Sequence, residues 1–249
     1  MVKLKTKEEI EIMKEGGRKL REVVKELLPQ IKAGMTTKQI DNNAEELIIK
    51  MGGEPSFKKV KGYQWSTCLS VNEQIVHSPP AKRVLREGDI LTVDIGIFYK
   101  GLHTDYADTI AVGKVAEKVE RFLETGKKTL DFTINRVKKG VRLGEISLTI
   151  QKEIEAKGYS IVKQLTGHGV GRDLHEDPSI PGFLDRSKEK TLTIKPGLVI
   201  AIEVIYAMRD GAMVHESPDD WSIRTADRSL SACFEHTVAV TDTNTLILT

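Results

Sequence analysis

The sequence predicts an α+β fold of two similar halves, each with two helices followed by strands, packed about a pseudo-twofold axis. Three observations predict it: helical-period segments come in pairs, strand-like runs follow each pair, and residues recur in one order between the halves. Gly34 and Gly140 precede the second helix of each half, and Gly52 and Gly158 close it, each pair 106 residues apart. Gly88-Asp89-Ile90-Leu91-Thr92-Val93-Asp94-Ile95 resembles Gly197-Leu198-Val199-Ile200-Ala201-Ile202-Glu203-Val204 at an offset of 109. Thr109-Ile110-Ala111-Val112 resembles Thr237-Val238-Ala239-Val240. Several matches in one order place a joint near residues 113–116. The expectation is one domain, 1–249, with halves of about 1–114 and 115–249.

The elements follow in order. A helix is expected from Lys7 to about Leu28, because Thr6 and Glu9 form a capping box and Ile10, Met13, Leu20, Val23, Val24 and Leu27 recur at helical spacing. A second runs from about Lys38 to Met51, capped by Thr36 with Gln39 and stopped by Gly52-Gly53. Strands are expected at 66–71, 90–98 and 106–112. In the second half, helices are expected at about 116–139 and 143–156, and strands at 197–206 and 230–240.

Composition narrows the class. At 249 residues, 39% hydrophobic and 30% charged, the chain is ordered and long enough to fold without staples. A net charge of +2 argues against a dedicated nucleic-acid binder. Two cysteines, Cys68 and Cys233, make no disulfide framework. No apolar run approaches a membrane span, and the charged start, Met1 to Glu9, is not a secretory signal, so a cytoplasmic enzyme is the expectation.

Acidic residues inside apolar strands carry the chemical signal. Asp94 interrupts the first long strand and Glu203 its repeat, where a charge is costly unless paired or metal-bound. A hairpin turning at Tyr99-Lys100-Gly101 would set Asp105 opposite Asp94 on one face, at roughly 5 Å between Cβ atoms. Glu235 lies inside the last strand. Four carboxylates balance two divalent cations, whose mutual repulsion of roughly 19 kcal/mol at 3.5 Å and an effective dielectric of about 20 calls for bridging carboxylates. His168, between Gly167 and Gly169, adds an imidazole, which favours Mn²⁺, Fe²⁺, Co²⁺ or Zn²⁺ over Ca²⁺. The flanking glycines read as clearance for something close.

These residues resemble the type I methionine aminopeptidases across essentially the whole chain. The resemblance rests on Val71-Asn72-Glu73 with His77, on Asp94 and Gly101-Leu102-His103-Thr104-Asp105, on Gly167-His168-Gly169-Val170-Gly171-Arg172 with His175, on Ala201-Ile202-Glu203, and on Trp221 through Arg228-Ser229-Leu230-Ser231-Ala232 to Glu235-His236-Thr237. It implies the pita-bread fold, whose two αα-ββ halves surround a central antiparallel sheet, and removal of the initiator methionine when the second residue is small. It implies two divalent metals: Asp94 on one, His168 and Glu203 on the other, Asp105 and Glu235 bridging. A water between the metals would be the nucleophile, Glu203 the general base, and His175 and His77 donors to the scissile peptide. Phe57, Val60, Tyr63, Cys68, Leu174 and Trp221 would surround the methionine side chain, with His77 and His175 contacting substrate. Cys233 would pack beneath the metals. His103 reads as either a neighbour of the ligands or a solvated turn residue, and His215 and His236 as structural.

Ser78 stands where the family commonly has glycine, and Val204 where it usually has proline. Lys3, Lys5, Lys58, Lys59 and Lys61 read as a solvated face, with transient contact to ribosomal RNA the other reading; the enzyme is expected to act as a monomer. Two alternatives stay open: an Xaa-Pro peptidase of the same fold, and a pita-bread module that binds without catalysis.

Overall fold

Lys7–Leu27 forms α1 and Thr37–Lys50 forms α2, each opened by a capping box, Thr6 with Glu9 and Thr36 with Gln39. The structure, a computed structural model, describes residues 2–216 and 221–249. The remaining helices are α3 (Glu117–Ile134) and α4 (Leu143–Glu155). The long strands are β4 (Ile90–Tyr99), β5 (Leu102–Ala111), β9 (Val199–Ala207) and β12 (Ser231–Val240). Shorter ones are β1 (Glu54–Pro55), β2 (Thr67–Val71), β3 (Gln74–Val76), β6 (Ser160–Ile161), β7 (Thr166–Gly169), β8 (Glu176–Pro181), β10 (Met213–His215), β11 (Ile223–Thr225) and β13 (Thr245–Ile247).

The α3 pattern overran. Val137 keeps helical spacing in the sequence, but the helix caps at Asn135 and Val137 is buried in the turn beyond it.

The main sheet is antiparallel, in the order β1-β4-β5-β12-β9-β7-β8, with β2 on β4, β6 on β9 and β13 on β12. A second sheet, β10-β11-β3, links the two halves beside the large one. The repeat is written into the backbone. Gly34 N donates to Leu85 O and Gly140 N to Ile194 O, both at 2.9 Å. All four repeat glycines, with Gly88 and Gly197, take positive φ between 74° and 92°, where a side chain is strained. Thr109 Oγ1 donates to Cys233 O and accepts from Cys233 N, while Thr237 Oγ1 donates to Asp105 O and accepts from Asp105 N. Matching threonines thus brace β5 against β12 from opposite sides, as a twofold requires.

Period-2 alternation assigns the two faces. Leu91, Val93, Ile95 and Ile97 of β4 pack with Leu20, Val23, Ile40 and Ile48 of α1 and α2. Ile200, Ile202, Val204 and Tyr206 of β9 and Phe234 and Val238 of β12 pack with Phe122 and Leu130 of α3 and Ile146 and Ile150 of α4. Two helix-backed cores therefore cover one face. Asp94, Glu203 and Glu235, at the intervening positions, are left to the other. Val204 faces the helices and is fully buried there, so this departure does not enter the opposite face. Among the described residues no helix is long and apolar enough to cross a membrane.

Candidate metal centre and active site

On the helix-free face a cavity of about 460 Å³ is lined by every site residue expected from the sequence: Phe57, Val60, Tyr63, Cys68, His77, Asp94, Asp105, His168, Leu174, His175, Glu203, Trp221 and Glu235. Its four expected carboxylates come from four strands, β4, β5, β9 and β12, and His168 from a fifth, β7. Glu203 and Glu235 are direct partners across β9–β12, and Glu235 also faces Ala107 of β5. His168 pairs with Ala201, two residues before Glu203, so both side chains leave the same face. One donor atom each from Asp105, His168 and Glu235 lies within 4.8 Å of the others, and His168 Nε2 is 3.5 Å from Glu203 Oε1.

The expected pairing of Asp94 with Asp105 needs correction. Asp94 faces Ala107, and Asp105 faces Gly96. The turn is the two-residue loop Lys100-Gly101, with φ of 49° and 85°, and Tyr99 pairs with Leu102. Two successive positive φ values make a primed turn, centred one residue later than expected, which slides the register by two. The carboxylates remain on one face, as diagonal neighbours.

The cluster is electrostatically incomplete. Asp105 and Glu235 are 3% exposed, and Asp94 Oδ1 and Glu235 Oε1 have no hydrogen-bond partner. Among the described residues no lysine or arginine pairs with any of the four carboxylates; the one ion-pair contact is His168 with Glu203. Burial, then mutual repulsion, pushes Asp94, Asp105 and Glu235 well above the ordinary carboxylate range and lifts Glu203 to about 8. Burial pulls His168 down to about 3, so the ring is neutral. Its Nδ1 lies 2.8 Å from the Gly169 carbonyl, which fixes the proton there and leaves the Nε2 lone pair toward Glu203. Desolvated carboxylates, orphaned oxygens and a neutral imidazole with its Nε2 lone pair turned toward them fit divalent cations.

The glycines beside His168 make room, though not for the ions. A Cβ on Gly167 would sit 2.5 Å from Ala201 O, and one on Gly169 2.2 Å from Asp177 O. Their clearance is for neighbouring backbone, which lets β7 lie close to β9 and β8. Gly167→Ala should therefore cost about 1–3 kcal/mol in a denaturant melt and reduce activity, because no flexible side chain can yield there.

The apolar side is a cluster of Phe57, Tyr63, Cys68 and Leu174 with Val60, Trp65 and Trp221 around it. Trp65 escaped the sequence reading; its ring centroid lies 5.2 Å from that of Tyr63. Cys68 pairs with Asp94 across β2–β4, and burial and that carboxylate push its thiol up, so it is a wall and not a thiolate. Asp41 of α2 was also missed: its Oδ1 accepts from Ser66 N, Thr67 N and Thr67 Oγ1 at 2.9–3.0 Å, fixing the start of β2. Cys233 Sγ lies 4.0 Å from Glu203 Oε2, beneath the carboxylates.

The histidines separate by environment. His77, at φ 60°, lines the cavity, and burial and His175 hold its pKa down to about 4. The His175 ring centroid is 4.5 Å from that of His168. His103 is buried and not a solvated turn residue; its Nδ1 meets Ser56 Oγ at 3.0 Å. His215 is exposed, and His236 meets Thr249 Oγ1 at 3.3 Å. Ser78 is 2% exposed, and its carbonyl accepts from Leu69 N. The solvated-face reading holds for Lys3, Lys58, Lys59 and Lys61, which are exposed, the first three pairing with Asp173, Glu45 and Glu54. It fails for Lys5, whose side chain is 1% exposed against Glu176.

Known proteins resemble this chain in sequence and fold. The chain is 42% identical over 249 residues to methionine aminopeptidase 1 of Bacillus subtilis, covering 100% of this chain and 99% of that one. It is 34% identical over 250 residues to the methionine aminopeptidase of Escherichia coli K12, covering 100% and 94%. The crystal structure of the Thermotoga maritima methionine aminopeptidase superposes with a TM-score of 0.95 at 36% identity, covering 100% and 99%. A prolidase from Pyrococcus furiosus shares the pita-bread fold, with a TM-score of 0.79 at 23% identity over 98% of this chain and 64% of that one. The model of metallopeptidase family M24 matches residues 11–242. With a match of that extent, and full-length relatives above 30% identity, the chain belongs to metallopeptidase family M24.

Proposed function

We propose that this chain is a methionine aminopeptidase, a hydrolase that removes N-terminal methionine from peptides and nascent proteins when the second residue is small. The observation that carries the reading is the cavity itself: five metal-type donors on one side and an apolar, sulfur-containing wall on the other. Phe57, Val60, Tyr63, Cys68, Leu174 and Trp221 suit an unbranched thioether, which is soft and contacts aromatic edges well.

Asp94, Asp105, His168, Glu203 and Glu235 would hold two divalent ions, of Co²⁺, Mn²⁺, Fe²⁺ or Zn²⁺, and the charges then balance. Bound there, the ions supply Lewis acidity and acidify water toward neutrality. The protein does the rest. Glu203 takes the proton of the attacking water and passes it to the leaving amine. His175 donates toward the scissile carbonyl oxygen as charge develops on it, and His77 contacts the scissile amide. Both imidazoles are neutral donors, so the charge they meet is the one formed in the reaction. Residues 1–249 act as one catalytic domain, as a monomer in the cytoplasm, meeting nascent chains during transient contact with the ribosome.

The test uses chelator-treated protein with Mn²⁺, Fe²⁺, Co²⁺ or Zn²⁺ restored, against Met-Ala-Ser, Leu-Ala-Ser and Met-Pro peptides. Methionine release from Met-Ala-Ser alone, with at least about tenfold preference over Leu-Ala-Ser, is expected. Cleavage confined to the bond before proline would make it an Xaa-Pro peptidase. Absence of turnover with every metal would leave a binding module.

A further inference from the structure

The segment before α1 is bound to the loop that carries Leu174 and His175. Lys3 Nζ meets Asp173 Oδ2 at 2.7 Å, and Arg172 pairs with Glu9, the capping residue of α1. Between these exposed bridges, Lys5 Nζ donates to Glu176 Oε2 at 2.6 Å, with both side chains 1% exposed. Glu176 Oε1 accepts from Arg172 N at 2.8 Å and Asp173 N at 3.2 Å. One carboxylate therefore closes the loop on itself and ties it to the N-terminal segment. Lys5 is fixed in turn: its N donates to Gly197 O at 2.7 Å, and its Nζ donates to Lys3 O at 3.1 Å. A Cβ on Gly171 would sit 2.1 Å from Lys5 Cε, so the loop backbone is packed directly on the lysine stem.

A buried ion pair is a poor source of stability, since apolar residues of equal volume generally do as well. This one fixes geometry. Among the described residues His175 makes no hydrogen bond, and its ring contact is with His168. Its aim is set by the loop backbone, and the loop backbone is set by Glu176.

We propose that Lys5 and Glu176 are positioning residues for His175: their buried pair locks the loop 171–176 so that the His175 ring points into the cavity beside His168. The inference rests on His175 acting on the substrate carbonyl. Glutamine at 176 cannot replace the carboxylate, because its single acceptor oxygen cannot serve both the loop amides and Lys5.

The experiment measures kcat and KM of metal-loaded Glu176→Gln, Lys5→Met, the neutral pair K5M/E176Q, His175→Ala and H175A/E176Q on Met-Ala-Ser. The neutral pair leaves no unpaired buried charge, so it stays informative if Lys5→Met fails to fold. A lost transition-state contact lowers kcat and leaves KM nearly unchanged. The expected result is a fall in kcat of about 10- to 100-fold for E176Q and K5M/E176Q, KM within about twofold, and Mn²⁺ affinity unchanged by titration. In the H175A background E176Q should lower kcat no further. Full kcat in folded K5M/E176Q, or the same fold-loss with and without His175, would overturn the positioning role while leaving the catalytic reading intact. Full activity of H175A itself would overturn both.

Discussion

Asp105→Asn should lower kcat/KM on Met-Ala-Ser by about 10³-fold, more than the 10- to 100-fold typical of residues that only support a metal ligand. Asp105 is the centre of the proposed ligand set. Its charge raises the carboxyls of Glu203 and Glu235, and its own is raised by that of Asp94. It shares a 4.8 Å donor cluster with His168 and Glu235, and its backbone is fixed to β12 through Thr237. An amide keeps this placement while losing one acceptor and the negative charge, so it cannot bridge two cations. Two measurements separate that cause from misfolding. Titration with Mn²⁺ should show weakened binding or reduced stoichiometry. The melting temperature of the metal-free variant should equal or exceed that of the parent at pH 8, because one of four crowded carboxylates no longer ionises. Near-full activity with undiminished Mn²⁺ binding would refute the ligand assignment. Asp108→Asn, three residues further along the same strand but outside the cavity lining, should stay within about threefold of the parent rate.

What the sequence reveals about this site depends on the kind of interaction involved. Asp94 and Glu203 stand out because a charge inside an apolar strand violates a local rule, and finding the same violation at both repeats points to a shared cause. The helix ends at Thr6 and Thr36 are equally local, since a capping box spans only four residues. The register of Asp94 against Asp105 is not local in that sense. It turns on whether Tyr99 or Lys100 opens the turn, and the left-handed φ of Lys100, unusual for a residue with a Cβ, carries no strong signal. Strands of two to six residues, such as β7 and β8, are too short for alternation to show, so the chain around His168 reads as a glycine-rich loop. Lys5 is the extreme case. It sits in a charged N-terminal stretch, and its partner lies 171 positions away, so only the assembled fold shows that the charge is buried.

The helices and the acidic cluster are two consequences of one alternating pattern. β4 and β9 read as apolar runs broken by one carboxylate each because both of their faces are covered, one by helices and the other by the cavity wall. The helix-backed cores hold the strands at fixed spacing, and the threonine braces at Thr109 and Thr237 fix β5 against β12 on either side of Asp105 and Glu235. The carboxylates are thus held together before any ion arrives, and their repulsion is stored in the metal-free fold.

That repulsion should be visible as pH-dependent stability. In chelator-treated protein the melting temperature should pass a maximum near pH 6.5 and fall on the alkaline side, and saturating Mn²⁺ should abolish most of the fall. Below the maximum the imidazoles decide the sign. Burial holds His77, His103 and His236 at about 4 and His168 at about 3. Their contribution is complete above the unfolded value of about 6.5 and is lost as the pH drops through their folded values. The cluster carboxyls act oppositely. Glu203 is raised to about 8, and Asp94, Asp105 and Glu235 move in the same direction. A raised carboxyl contributes fully below its unfolded value and loses that contribution as the pH rises through its folded value, because the unfolded chain has already released the proton. Each group still protonated in the folded state costs about 1.4 kcal/mol per pH unit. With one or two such groups active between pH 7 and 8.5, a drop of about 5 °C or more is expected for a chain of this size. Metal binding displaces those protons and pairs the charges, so the stabilisation by Mn²⁺ should grow with pH. A metal-free melting temperature that is flat or rising from pH 7 to 8.5, or a Mn²⁺-induced shift equal at pH 6 and pH 8.5, would show that these four carboxylates neither repel one another nor share the ions.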